Sequence, residues 1–215
     1  MSIQAVIFDL DGVIVSTDEL HYQAWKQLAE REGIAFDRNI NDRLRGVSRM
    51  ESLEIVLEKS SKTYSEDEKH ELATFKNDYY RKSLKQLSRK DILPGVLELC
   101  EALRNSGIRL AIGSSSRNSP DILRNIGLGD YFDATADGND ISRSKPDPEV
   151  FLLAAEKMGL DPASCVVVED AESGVAAAIA GGFKCIAVGA AASDKRAHLK
   201  AADASLITAA EVLSL

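Results

Sequence analysis

Apolar residues fall along this chain in two rhythms, and the change from one to the other divides it. In the first they come as short, nearly unbroken runs: Ala5-Val6-Ile7-Phe8, Leu110-Ala111-Ile112, Cys165-Val166-Val167-Val168 and Cys185-Ile186-Ala187-Val188. Runs of this length without alternation predict strands buried on both faces, as in a parallel sheet. Helical spacings lie between them. Pro94 to Asn105 carries Val96, Leu97, Leu99, Cys100 and Leu103, with a proline expected in the first turn. Pro148 to Met158 repeats the pattern with Val150, Phe151, Ala154, Ala155 and Met158, and an alanine-rich stretch from Ala171 to Ile179 stops at Gly181-Gly182. Strand then helix, several times over, predicts an α/β fold with a doubly wound parallel sheet, a Rossmann-like core.

The second rhythm runs from about Thr17 to Ser88. It holds no convincing strand, is much more charged, and reads as helices over Asp18–Glu32, Asn39–Leu44, Arg49–Lys59 and Ser65–Leu87. We expect an inserted α-helical cap domain over residues 16–88, and a discontinuous catalytic core over 1–15 and 89–215. The links would be Val15-Ser16-Thr17 and Ser88-Arg89-Lys90-Asp91. In the alternative, these helices pack on one face of a single domain, but two short links close to the end of the first strand favour a cap.

Composition narrows the class of function. The 215 residues are 45% hydrophobic and 28% charged, and the formal charge of -8 supplies no net positive field for nucleic acid. A small anionic substrate stays open, because a local cluster of Lys and Arg overrides net charge. No stretch approaches the ~20 apolar residues of a membrane span. The N-terminus enters a strand pattern with no basic region before an apolar segment, so no secretory signal is expected. Cys100, Cys165 and Cys185 are widely spaced in apolar contexts and read as buried free thiols of a reducing compartment. A cytoplasmic, monomeric enzyme acting on a small molecule is the expectation.

The chemistry sits at strand ends. Asp9 and Asp11 leave the first predicted strand two positions apart, and Glu169-Asp170 leave the Val166-Val167-Val168 strand. In open α/β sheets that edge holds the ligand. Four carboxylates gathered there repel, and burying them unpaired costs several kcal/mol each. A hard divalent cation resolves this, and Mg2+ typically accepts a substrate phosphate as well. Solvated loop acids are the bland alternative, weakened by two pairs each ending an apolar strand. An ionised Asp can attack an electrophile without a general base, and a phosphoryl group is suitable where positive charge cancels its oxygens. Lys145, in the stiff Ser144-Lys145-Pro146-Asp147-Pro148 loop, supplies charge. Ser114-Ser115-Ser116, after a strand and before a helix, aims hydroxyls and N–H groups at an anion.

Asp9-Leu10-Asp11-Gly12, Ser114 after a strand, Lys145 before Pro146, and Glu169-Asp170, in that order, resemble the haloacid dehalogenase-like superfamily over essentially the whole chain. The resemblance implies that Asp9 is a nucleophile forming an aspartyl-phosphate and Asp11 the general acid and base. Mg2+ would be held by Asp9, Glu169, Asp170 and the Asp11 backbone carbonyl. The second aspartate argues against the dehalogenase branch. In the cap, His21 with Trp25, Leu44-Arg45-Gly46-Val47-Ser48-Arg49, Ser52, Lys76-Asn77 and, from the core, Ser114-Ser115-Ser116-Arg117-Asn118 look like the sugar-phosphate mutases of the superfamily. By that likeness Thr17 and His21 position Asp11. Arg49 grips the phosphate not being transferred, with Ser116, Arg117 and Asn118, while Gly46, Val47 and Lys76 contact the sugar, with Trp25, Ser48, Ser52 and Ser115 counted among the binding residues. The implied reaction interconverts β-D-glucose 1-phosphate and glucose 6-phosphate, primed by glucose 1,6-bisphosphate.

Elementary chemistry agrees that a mutase passing through a bisphosphate needs two anion sites. Lys145 with Ser114 suits one, and the planar fork of Arg49 the other. Where that branch reads Thr-Asp-Thr at the first link, this chain has Val15-Ser16-Thr17, which removes an acid from the hinge. The alternatives are a sugar-phosphate phosphatase sharing the first half-reaction and, from a different class, a catalytically idle binding module.

Overall fold

The computed structural model describes residues 2–44 and 47–215. Its centre is a six-stranded sheet of β1 (Ala5–Phe8), β2 (Arg109–Gly113), β3 (Ala134–Ala136), β4 (Cys165–Glu169), β5 (Lys184–Ala187) and β6 (Leu199–Lys200). All pairings are parallel, in the order β3-β2-β1-β4-β5-β6. Connections run outward in one direction from β1 and then in the other from β4, so the switch point where a crevice opens lies between these two strands. Phe8 is level with Ile112 on one side and Val168 on the other, which brings the residues following all three strands to one edge.

Residues 18–84 form α1 (Asp18–Glu32), α2 (Arg38–Asp42), α3 (Arg49–Leu57) and α4 (Glu66–Leu84). Ser48 and Ser65 start α3 and α4 with capping boxes closed by Glu51 and Glu68, satisfying N–H groups that would otherwise lack partners. The helices enclose their own apolar cluster, with Trp25, Leu28, Leu53, Val56 and Leu72 buried together. The last turns of α4 behave differently: Tyr80 and Leu84 join the main core. The two links run side by side. Val15 and Ile92 pair in an antiparallel bridge, and Leu93 N donates to Ile14 O at 2.9 Å.

The sheet is covered by α5 (Val96–Asn105), α6 (Ser119–Asn125), α7 (Glu149–Lys157), α8 (Glu172–Ala180) and α9 (Ala209–Leu213). Strand alternation sorts them into two layers. Val6 and Phe8 face Leu99, Leu103, Ile122 and Val212, while Ala5 and Ile7 face Val150, Phe151, Val175 and Ala178. The three cysteines are buried and free. Some expected boundaries shift. Pro94 lies ahead of α5 and not in its first turn, because Gly95, at φ 78°, is the N-cap. A Cβ there would stand 2.2 Å from the Cα of Ser205, which restricts the position to glycine. Likewise Pro148 caps α7 from outside, and the Ser65–Leu87 pattern ends as a helix at Leu84. Among the described residues no helix is long and apolar enough to cross a membrane.

Candidate active site

Beyond Phe8 the chain turns sharply, and Asp9, 7% exposed, meets Lys145 from the loop that precedes α7. Lys145 Nζ donates to Asp9 Oδ1 at 2.5 Å and to Glu169 Oε1 at 2.6 Å. Burial alone works against a charged lysine, but the two carboxylates outweigh it and hold Lys145 above its ordinary value. Glu169 is 1% exposed, and its other oxygen accepts from Ala171 N at 2.7 Å. Both oxygens are therefore engaged, and this carboxylate anchors the lysine more than it faces the cleft. Asp170 leans against the first turn. At Gly12, φ 86°, a Cβ would meet Asp170 Oδ2 at 2.1 Å, so only glycine leaves room for that carboxylate. Burial, followed by the charges of Glu169, Asp9 and Asp11, pushes Asp170 up to about 8.

Asp11 is fixed by the start of the helical insert. Thr17 N donates to Asp11 Oδ1 at 2.7 Å, and Thr17 Oγ1 donates to Oδ2 at 2.6 Å. Burial raises Asp11 to about 7 despite these two bonds, which act in the opposite direction. The Thr17 hydroxyl also meets the Tyr80 hydroxyl at 2.9 Å, and Tyr80 is fully buried. His21, one turn into α1, packs tilted on Tyr80 with centroids 4.0 Å apart and places Nε2 3.7 Å from Asp11 Oδ2. Lys76 Nζ lies 2.9 Å from His21 Nδ1. While Lys76 carries its proton it can only donate there, which then places the imidazole proton on Nε2, the nitrogen toward Asp11. Burial and then the charges of Lys76 and Arg49 hold His21 well below its ordinary value. Lys76 itself is 2% exposed and lowered to about 7, chiefly by burial and next by Arg49. Its ammonium sits 4.7 Å from the ring centres of both Trp25 and Tyr80.

The loop after β2 supplies a different kind of group. Ser114 Oγ accepts from Ser116 N at 3.2 Å, and Ser116 Oγ accepts from Asn118 N at 3.2 Å, so these hydroxyls organise the loop that enters α6. Asn118 Nδ2 reaches Asn77 Oδ1 on α4 at 3.1 Å. Arg117 anchors its Nε on Gly138 O at 3.1 Å. Arg49, opposite, is held below the usual arginine range by burial and then by the nearby charge of Arg117. No ion pair links Arg49, Lys76 or Arg117 to a carboxylate among the described residues.

These groups line one cleft of about 1110 Å³ between the helical insert and the sheet edge. Of the residues expected from sequence, Asp9, Asp11, His21, Trp25, Val47, Ser48, Arg49, Ser52, Lys76, Ser114, Ser115, Ser116, Arg117, Asn118, Lys145, Glu169 and Asp170 line it. Thr17 stands behind Asp11 and reaches the cleft only through it. Gly46 lies outside the described residues. Sequence reasoning passed over Tyr80, although its four-residue spacing from Lys76 places both on one face of α4. It also gave no role to Asn77.

The chain belongs to the haloacid dehalogenase-like hydrolase family, whose model matches residues 3–182, and it is an enzyme of that family. It is 44% identical over 188 residues to the β-phosphoglucomutase of Bacillus subtilis (strain 168), covering 86% of this chain and 83% of that one. It is 33% identical to a phosphorylated carbohydrates phosphatase of Thermotoga maritima, over 99% of this chain and 97% of the relative. Among solved structures, a β-phosphoglucomutase from Clostridium difficile superposes with a TM-score of 0.92 at 36% identity, covering 99% of this chain and 96% of that one.

Enzymes of this family generally use Mg2+. Among the described residues no three acidic, His or Cys groups form a ready-made cluster for a metal. Mg2+ does not require one, because it binds through one or two carboxylates and takes its remaining oxygens from water, backbone and phosphate. Asp9 retains an oxygen not bonded to Lys145, and Asp170 accepts no hydrogen bond from a described residue. Its raised value, driven by burial and three neighbouring carboxylates, marks a place where a cation relieves repulsion. The residues fit.

Proposed function

We propose that this protein is a Mg2+-dependent phosphomutase that interconverts β-D-glucose 1-phosphate and glucose 6-phosphate. It would work through an aspartyl-phosphate on Asp9 and a glucose 1,6-bisphosphate intermediate. The observation that carries this reading is the charge distribution of the cleft. One end has the Asp9–Lys145 pair, and the other has Arg49, Lys76 and Arg117, none of them in an ion pair with a described carboxylate. A substrate with a phosphate at each end satisfies both; a single small phosphate ester needs only the first.

In this reading Asp9 attacks the phosphoryl group, and Lys145, held by Glu169, offsets charge on its oxygens. Asp9, Asp170 and the backbone carbonyl of Asp11 would hold Mg2+, which when bound neutralises phosphoryl oxygens. Ser114 supports the same phosphate. Asp11, positioned by Thr17 and by the Nε2 proton of His21, takes the proton from the attacking sugar hydroxyl and returns one to the leaving oxygen. Arg49, Ser116, Arg117 and Asn118 grip the other phosphate. The bisphosphate then reverses in the cleft and gives its second phosphoryl group back to Asp9. Residues 16–88 act as the cap that closes over it, with Val15-Ser16-Thr17 and residues 88–91 as hinges.

A phosphatase reading shares Asp9 and Asp11 and replaces the sugar hydroxyl with water. It gains support from the similarity to the Thermotoga phosphatase. One assay separates the two: with β-glucose 1-phosphate, Mg2+ and a trace of bisphosphate, glucose 6-phosphate should accumulate with little free phosphate. Free phosphate without glucose 6-phosphate would sink the mutase reading.

A further inference from the structure

Thr17 occupies the N-cap of α1 and does not cap it. A threonine there ordinarily accepts from the second or third N–H of its helix, which stabilises by about 1 kcal/mol. Here the side chain makes no such bond, and its hydroxyl lies between Asp11 Oδ2 at 2.6 Å and Tyr80 Oη at 2.9 Å. A hydroxyl has a single proton to give. An ionised carboxylate can only accept, so that proton goes to Asp11, and the phenol must donate to Thr17 Oγ1. Burial and then the charge of Asp11 hold the Tyr80 phenol above its ordinary value, so it keeps the proton it donates. The result is an ordered chain, Tyr80 Oη to Thr17 Oγ1 to Asp11 Oδ2, in which each bond strengthens the next.

The position of Tyr80 on α4 suits it to this. Leu72 and Ala73, earlier on the same helix, pack in the apolar cluster of the insert, whereas Tyr80 is fully buried in the main core. The ring alone would satisfy that packing, and a buried hydroxyl costs free energy unless it is bonded. The ring also supports the other groups around Asp11. His21 lies against it with 4.0 Å between centroids, and the Lys76 ammonium sits 4.7 Å from its centre. Thr17, His21 and Lys76 therefore all rest on one side chain of the insert, while Asp11 belongs to the sheet edge. Tyr80 is not among the described residues that line the cleft.

We propose that Tyr80 is a positioning residue for Asp11, acting through Thr17; this rests on the acid–base role given to Asp11 under the proposed function. By donating to Thr17 Oγ1, the phenol holds the Thr17 proton on the carboxylate. Without that donor the threonine oxygen turns toward the N–H groups that open α1, its ordinary partners at an N-cap. Asp11 then loses one of the two bonds from Thr17 that fix it, and with it the orientation in which it meets the substrate hydroxyl. The effect falls on the reacting geometry and not on substrate binding, because Tyr80 does not reach the cleft.

The test is a double-mutant cycle of Tyr80→Phe, Thr17→Val and the two combined, with Mg2+, β-glucose 1-phosphate and a trace of bisphosphate. Glucose 6-phosphate and free phosphate are followed together, so kcat and KM are read whichever product forms. Phenylalanine keeps the ring against His21 and Lys76, so the fold should be retained. Tyr80→Phe should lower kcat about three- to tenfold, as expected for one hydrogen bond, and leave KM unchanged. Thr17→Val should lower kcat further, and adding Tyr80→Phe to it should bring no additional loss. A wild-type kcat in Tyr80→Phe, a loss that falls on KM instead, or the same loss repeated in the Thr17→Val background overturns the proposal. Asp11→Asn separates premise from inference. If it turns over like wild type, the acid–base reading fails and the role of Tyr80 with it; a crippled Asp11→Asn beside an unaffected Tyr80→Phe removes the role of Tyr80 alone.

Discussion

The two walls of the cleft are built on opposite principles. On the sheet side most of the charged groups are tied to one another: Lys145 is shared between Asp9 and Glu169, and Glu169 also takes Ala171 N, while Asp170 and the buried Ser115 Oγ stay open toward the cleft. On the helical side burial and the charge of Arg49 lower Lys76, burial and the charge of Arg117 lower Arg49, and Lys76 meets only an imidazole nitrogen and aromatic faces. A wall whose charged groups are tied to one another can hold them in place without a ligand. A wall with unmet charge and hydrogen-bonding capacity is completed by what it binds. In the proposed reading the chemistry belongs to the sheet edge and the choice of substrate to the insert. Substitutions on the two walls should fail in different ways.

The largest loss should follow Asp9→Asn. Turnover should fall on the order of 10⁵-fold or more, as expected when a nucleophile is removed. The fold should survive, because Glu169 still pairs with Lys145. Circular dichroism together with a rate assay checks both halves, and substantial residual turnover would refute the nucleophile assignment. Lys145→Met should strike stability as well as rate. It leaves Asp9 and Glu169 buried against each other without their cation, and breaking a buried pair from one side costs about 3–5 kcal/mol. Chemical denaturation of the metal-free protein is the measurement, and a variant as stable as wild type would contradict the closed network.

How much of this was legible in the chain differs between the walls for the same physical reason. Strands β1, β2, β4 and β5 are buried on both faces, so their sequences are unbroken apolar runs, and the acids that end them announce themselves. Edge strands β3 and β6 escaped: Ala134–Ala136 is only partly buried and flanked by acids, and Leu199–Lys200 is two residues long. Arg49 was legible from a resemblance, and the structure adds its nearness to Arg117. Tyr80 was not, because it sits in a highly charged helix, and only the fold brings it to Thr17, 63 residues away. That Glu169 also holds Lys145 and Ala171 N was not legible either, because both contacts depend on the fold.

On the helical wall, Arg49→Ala should cost less than either change above. Losing a charge-assisted contact to phosphate weakens binding by about 1.5–3 kcal/mol, roughly 10- to 150-fold in mutase flux. Hydrolysis of a small phosphate ester, which needs only the Asp9 end, should change little. Parallel kinetics with both substrates provide the check, and equal losses in both would remove the second phosphate site.

The mildest effect concerns Lys76 in the protein without ligand. It is surrounded by His21, Arg49, Trp25 and Tyr80, with Asp11 as the nearest opposing charge. Burial lowers it from 10.5 to about 7 in the folded state. Between those two values the unfolded chain holds a proton that the folded protein has released, so raising the pH favours folding by up to about 1.4 kcal/mol per pH unit. Below about 7 both states are protonated and the dependence ends. Other groups titrate across this window as well, so the informative quantity is the difference between wild type and Lys76→Met. Their stabilities should converge, or cross, as pH rises from 7 toward 10, with the variant the more stable at the lower end because it buries no charge. Removing Lys76 also eases the downward push on His21, but that titration falls below 6.5 and leaves the window untouched. Urea midpoints at half-unit steps of pH measure this directly. Two parallel curves would mean that Lys76 keeps its proton in the folded protein, and that the helical wall offers a fixed cation to the substrate.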